Sequence, residues 1–393
     1  MSEETIIDAN ARVVLDHVDG NLKLNEGATL VAKNEAITVK GSVIAKGSFV
    51  CEGTLECISL RCKRGSVDIE GSLNAAKYVR VDERLNVEGS LLSPEVHVGG
   101  SLKVQGDTQS DEIKVGGTIQ LEGNVAVDEI SVGGSLVVEG KSNIGQISAG
   151  GSAKLEDTTE LDHLRVGGSG RVNDGKIGKI KIGGSFTASG EVVIEEIDVG
   201  GSIKVESKAE IQDLSVGGSF TAESELIFGQ LSVGGRIALE SNSEGESISV
   251  GGKLSCDANL TLSGKLSVGG SCKVELVLTA DEVSIGGEIR AKLINAAYFK
   301  IGNRGRVIGT VNAKKIIISR KATAEDLYGE EIILEEKSRI RNVYGETIFI
   351  EDGVRVTGEI LYTDELSLEK GAILAQEPQK VTSLPAPKAN PES

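Results

Sequence analysis

The sequence predicts an all-β fold, a parallel β-solenoid, on three observations. Gly-Gly pairs recur through the middle of the chain, beginning at Gly99, Gly116, Gly133, Gly150, Gly167, Gly183, Gly200, Gly217, Gly234, Gly251, Gly269 and Gly286, and nine of the eleven spacings are 17. Between the pairs, apolar residues keep six fixed positions. The 393-residue chain also holds 51 Gly, no Trp and only 3% aromatic residues, although 39% of it is hydrophobic. Such an interior is built from many thin aliphatic layers, as in a repeat protein.

The coil explains the positions in turn. Counted from the residue after a glycine pair, SIKVESKAEIQDLSVGG places Ile203, Val205, Ala209, Ile211, Leu214 and Val216 at positions 2, 4, 8, 10, 13 and 15. The next coil has Phe220, Ala222, Leu226, Phe228, Leu231 and Val233 there, and the coil from Thr118 has Ile119, Leu121, Val125, Val127, Ile130 and Val132. Side chains alternate across a strand, so two apolar residues two apart form the inner face of one short strand. Three such pairs make three strands per coil, a triangle whose coils stack at about 4.8 Å. The intervening polar or Gly residues suffice for a corner and are too few for a helix. At the glycine corner, the recurrence implies either positive φ or close coil-to-coil approach.

The phase continues beyond the glycines. Leu85, Val87, Leu91, Val96 and Val98 fit one earlier coil, and Phe49, Cys51, Leu55, Cys57, Leu60 and Cys62 fit another. Phe299 with Ile301, Ile316 with Ile318, Ile332 with Leu334, Ile348 with Ile350, and Leu366 with Leu368 carry positions 13 and 15 forward. The solenoid is therefore assigned to residues 48–374, roughly 19 coils of about 17 residues, a rod about 90 Å long. Residues 1–47 read as an irregular N-terminal segment or first coils. Residues 375–393 contain four of the five prolines and read as a disordered tail, either solubilising or a docking segment. The fifth, Pro94, falls at a corner, where a missing N–H removes no ladder bond.

Composition excludes several functions. With 42 Lys plus Arg against 59 Asp plus Glu, the net charge is −17, which repels polyanions and argues against a nucleic-acid partner. No apolar run approaches the roughly 20 residues of a membrane-spanning helix, and MSEETIIDAN lacks the basic and apolar regions of an export signal. A cytoplasmic protein without direct membrane insertion is expected. Five cysteines in no metal-ligand spacing suit a reducing compartment. Cys51, Cys57 and Cys62 read as small core hydrophobes, and Cys256 and Cys272, at positions 4 and 2 of adjacent coils, are too far apart for a relaxed disulfide. His17, His97 and His163 are scattered surface residues. The Gly-Gly-Ser corners precede strands and lack the helix or lysine of a phosphate loop. No catalytic, cofactor or metal site is therefore predicted, and no enzyme.

Two surface features remain. An open solenoid leaves unpaired N–H and C=O rows at its ends, templates for another chain. Leu22, Leu24 and Leu30 are expected near one end, and Ala372, Ile373 and Leu374 near the other. The outward position 14 is mostly polar through the Gly-Gly coils, then becomes Ile317, Ile333 and Phe349, while position 9 supplies Tyr328, Tyr344 and Tyr362. Stacked coils would align each set into a ladder, serving a partner or lateral contact, or only stabilising the terminal coils.

The stretch IFIEDGVRVTGEILYTDELSLEKGAIL resembles the bactofilins, polymer-forming cytoskeletal proteins: an aliphatic strand, an acidic Gly corner, a Gly-hydrophobic strand and a closing EKGA-type corner. The motif-level likeness covers about residues 300–375. It implies a single right-handed triangular β-helix that polymerises end to end without nucleotide as a scaffold, with itself as principal partner. Another scaffold or membrane-associated protein would then bind through the C-terminal coils or tail. The family's members usually have about six coils, so this one is unusually long. The alternative is a monomeric binding rod, or an adhesin-like protein, presenting a partner-binding face.

Overall fold

The computed structural model describes residues 4–388, and among them it contains strands and turns but no helix. Two compact units divide the chain, one ending at Glu195 and the other beginning at Glu196. In each, strands pair in parallel with those one coil earlier and one coil later. Ser101–Val104 lies between Arg84–Val87 and Thr118–Leu121 in the first unit, and Ser219–Ala222 between Ser202–Val205 and Arg236–Leu239 in the second. There are about 22 turns spaced about 17 residues apart, more than the 19 expected. Residues before 48 account for part of the difference: Glu4–Ile7 pairs with Asn21–Leu24, which pairs with Ser42–Ala45.

A coil of the glycine region has one strand of four residues and one of eight, such as Ser101–Val104 and Thr108–Val115. The eight-residue strand contains two of the three expected apolar pairs. Its alternation breaks once, at Asp111 and Glu112, where two successive side chains turn away from the core. Pairing skips Asp111, running from Ser110↔Val127 to Glu112↔Glu129. The third corner is thus a bend inside a continuous strand. Pro94 occupies this corner one coil earlier, and its carbonyl accepts the N–H of both Asp111 and Glu112, at 3.0 and 2.9 Å. A residue without an N–H fits where only an acceptor is used.

The two readings of the glycine corner are now separable. Positive φ occurs at Gly27, Gly53, Gly175, Gly309 and Gly353, and at none of the paired glycines among the described residues. Close approach is the cause: a Cβ at Gly116 would lie 2.1 Å from the carbonyl oxygen of Gly99, and one at Gly133 would lie 2.2 Å from that of Gly116. The glycine N–H groups bond along the same column, Gly117 to Gly100 at 2.8 Å and Gly134 to Gly117 at 2.9 Å. Beyond Gly287 the corner changes to a longer turn with a left-handed residue in each coil, Arg304, Lys321, Lys337 and Gly353, at φ 60°, 60°, 60° and 67°.

Aliphatic rows fill the interior, with Phe49, Phe186, Phe220 and Phe299 fully buried among them. The start of the tail pairs with the last long strand: Gln379–Lys380 pairs with Leu361–Tyr362, and Val381 N–H bonds to the Tyr362 carbonyl at 2.9 Å. The tail beyond Lys388 lies outside the described residues.

Candidate functional site

Ionisable groups meet in small surface clusters, with Asp19 shared by His17 and Lys40 and Glu112 shared by His97 and Lys114. His17 Nε2 is 2.9 Å from Asp19 Oδ1 and His97 Nε2 is 3.3 Å from Glu112 Oε2, each an exposed or half-exposed pair. No group of three or more His, Cys, Asp or Glu among the described residues is arranged to hold a metal ion.

All five cysteines are free and buried. Burial pushes the Cys51, Cys57 and Cys272 thiols up to about 12 and Cys62 up to about 11. Cys62 Sγ donates to the Gly47 carbonyl at 3.3 Å, as Cys51 Sγ does to Gly53 at 3.6 Å. Opposite Cys272 stands Leu254, and opposite Cys256 stands Val274, the expected diagonal. Since the thiolate is the nucleophile, these thiols are inert in the fold. At pH 8 the native protein should release no measurable thionitrobenzoate from an aromatic disulfide reagent, whereas denatured protein should titrate all five. Rapid labelling of the native chain would contradict this burial.

The end residues require one correction. Leu22, Leu24 and Leu30 are 0%, 1% and 0% exposed, because residues 4–15 form a further coil against them. The N-terminal edge is instead Glu4–Ile7 and Arg12–Leu15, each paired only with the following coil among the described residues. It leaves Val13 and Leu15 half-buried and Ile6 and Val14 exposed. At the other end, Ile373 is exposed and Ala372 and Leu374 half-buried. Leu368, at an inward position, is 45% exposed, because Gln379–Lys380 covers only Leu361–Tyr362 of the last long strand.

The outward rows form in part. Ile317 stands opposite Ile333 and Ile333 opposite Phe349, bounded by Lys300 and Ser367. Phe349 is exposed and the two isoleucines are half-buried. Tyr328 stands opposite Tyr344, their rings stacked with centroids 4.6 Å apart at 27°. Tyr362 does not extend this ladder. It pairs with Gly345, one residue out of step, since the pairing shifts between Gly345 and Thr347. Its ring faces the Lys380 ammonium 6.0 Å away instead. The tyrosine and aliphatic rows also lie on different sides of the coil, separated by the corner at Glu330, which the pairing skips.

Sequence reading missed what lies beside Tyr328. Leu384, Pro385 and Pro387 line a groove of about 410 Å³ with Tyr328, Asn312 and Gly329. Tyr344 is only 8% exposed despite its outward position, and its hydroxyl donates to Glu359 Oε2 at 3.2 Å. Thr310, 0% exposed, donates its hydroxyl to the Lys388 carbonyl at 2.7 Å. Compositional rules see a proline-rich polar tail; the leucine set beside its prolines was the available signal.

Fold and surfaces together define, over the described residues, a β-solenoid with open strand edges, a partly exposed apolar row and a groove holding its own tail. No protein-family model, curated protein or solved structure matches the chain.

Proposed function

We propose that this protein is a structural scaffold that assembles end to end, in the manner of the bactofilins it resembles over about residues 300–375, without nucleotide. The observation that carries this reading is the uncovered inner layer at the C-terminal edge, where Leu368 is 45% exposed at a position that every preceding coil buries. Unpaired backbone beside exposed inward residues is a template for a strand of the same kind. The N-terminal edge offers the complementary surface, with half-buried Val13 and Leu15 awaiting one more coil. A cytoplasmic setting suits the five free thiols. No helix among the described residues is long and apolar enough to cross a membrane.

Negative-stain imaging and sedimentation of the full chain, in buffer free of nucleotide and with EDTA, test the proposal. Polymers are expected at micromolar protein. Leu368→Asp should abolish them, since end contact would desolvate a carboxylate. A monomeric wild type, or unchanged polymers in the variant, overturns it. A second reading, a rod presenting a partner-binding face, is favoured by the row Ile317, Ile333 and Phe349. Changing Ile333 and Phe349 to Ser would then weaken partner binding and leave a folded monomer.

A further inference from the structure

The geometry points to a binding site for an extended proline-rich segment on the face carrying Tyr328 and Tyr344, with this chain's residues 384–388 as resident ligand, exchangeable for those of a second copy. This inference does not rest on end-to-end assembly.

The site has the parts such a ligand needs. Proline has no N–H, so a proline-rich segment offers carbonyls, and a site for it must donate. Thr310 does so from a fully buried position, its hydroxyl reaching the Lys388 carbonyl at 2.7 Å. Proline-rich segments are pre-extended and lose little chain freedom on docking, and they favour flat aromatic surfaces. Tyr328 supplies one in the groove it lines with Leu384, Pro385 and Pro387, its ring backed by that of Tyr344 at 4.6 Å. The same column continues below the rings as an amide pair, Asn312 Nδ2 donating to Asn295 Oδ1 at 3.1 Å. Burial raises both phenols above their ordinary range.

Exchange follows from how lightly the ligand is held. Leu384 is half-buried, while Pro385, Ala386, Pro387 and Lys388 remain exposed in place. Upstream, the tail is anchored by the two-residue strand Gln379–Lys380. A segment that buries so little of itself leaves the groove often, and an identical segment from another copy meets the same donors and rings.

The test titrates a fluorescein-labelled peptide of residues 381–393 with the full chain, reading anisotropy. A full-chain variant carrying Leu384→Asp and Pro387→Asp vacates the groove while keeping Thr310, Asn312, Tyr328 and Tyr344, and these partly or fully exposed tail positions leave folding intact. The peptide should bind this variant at least tenfold more tightly than wild type, because a resident segment occupying nine sites in ten raises the apparent Kd by that factor. Adding Tyr328→Ala should return the variant to no binding, with circular dichroism confirming the fold. A peptide with Pro385 and Pro387 replaced by Gly should bind at least fivefold more weakly. Equal affinity for wild type and vacated chain, no binding to the vacated chain, or indifference to the prolines would each overturn the assignment.

Discussion

Gly286→Ala should destabilise the second unit by about 3 kcal/mol, although the same change usually stabilises a chain where the backbone permits it. The added methyl would lie 2.2 Å from the Gly269 carbonyl oxygen and 3.1 Å from its carbon. Both are backbone, held by a column of inter-coil bonds in which Gly287 N–H reaches the Gly270 carbonyl at 3.0 Å. Neither neighbour can swing aside as a side-chain end would. Relief would require parting two coils, which stretches ladder bonds on either side. Gly264→Ala in the same unit is the control, since its nearest atom, the Glu246 carbonyl oxygen, is 3.1 Å from the new methyl. There the cost should stay below about 1 kcal/mol. Urea denaturation of both variants decides the matter. If Gly286→Ala raises the midpoint, chain entropy rather than close approach explains the glycines.

Excising residues 118–134 should leave a folded protein melting within a few degrees of wild type, whereas excising only residues 118–125 should abolish cooperative unfolding. In the first case Ser135 follows Gly117 and inherits the partners of Thr118. Leu136 then meets Leu102, as Ile119 did, and every downstream side chain keeps its face. In the second, Glu129 moves to an inward position and the next glycine pair falls mid-side. Burying that carboxylate without a partner costs several kcal/mol, on top of the lost packing. Comparable unfolding of the two deletions, by circular dichroism and calorimetry, would show that register is not what the repeat preserves.

Periodicity made the coil legible before any coordinates. Positions 2, 4, 8, 10, 13 and 15 point inward because alternation and corner spacing leave them no other face, as Ile113 and Val115 show. The phase failed where coils change length. Four residues inserted near 32–35 separate pairs 17 apart, Val13↔Leu30, from pairs 21 apart, His17↔Thr38. That insertion hid the first coil and made Leu22, Leu24 and Leu30 look terminal. One extra residue between Tyr362 and Glu365 likewise moved Tyr362 out of the ladder. Neither the glycine column's cause nor the tail's docking was legible. The first depends on a distance between carbonyls, and the second on a tertiary contact that composition does not encode.

Parallel pairing between successive coils also has a mechanical meaning. A strand bonded only to the coil behind and the coil ahead, as Ser101–Val104 is, shares no load with more distant parts of its unit. Tension across a unit therefore peels its coils from the edges inward. Each release frees about 17 residues, roughly 60 Å of extended backbone. A protein of this design yields under force in even steps, like line paid out from a spool, and what remains wound keeps its strength until its own turn comes.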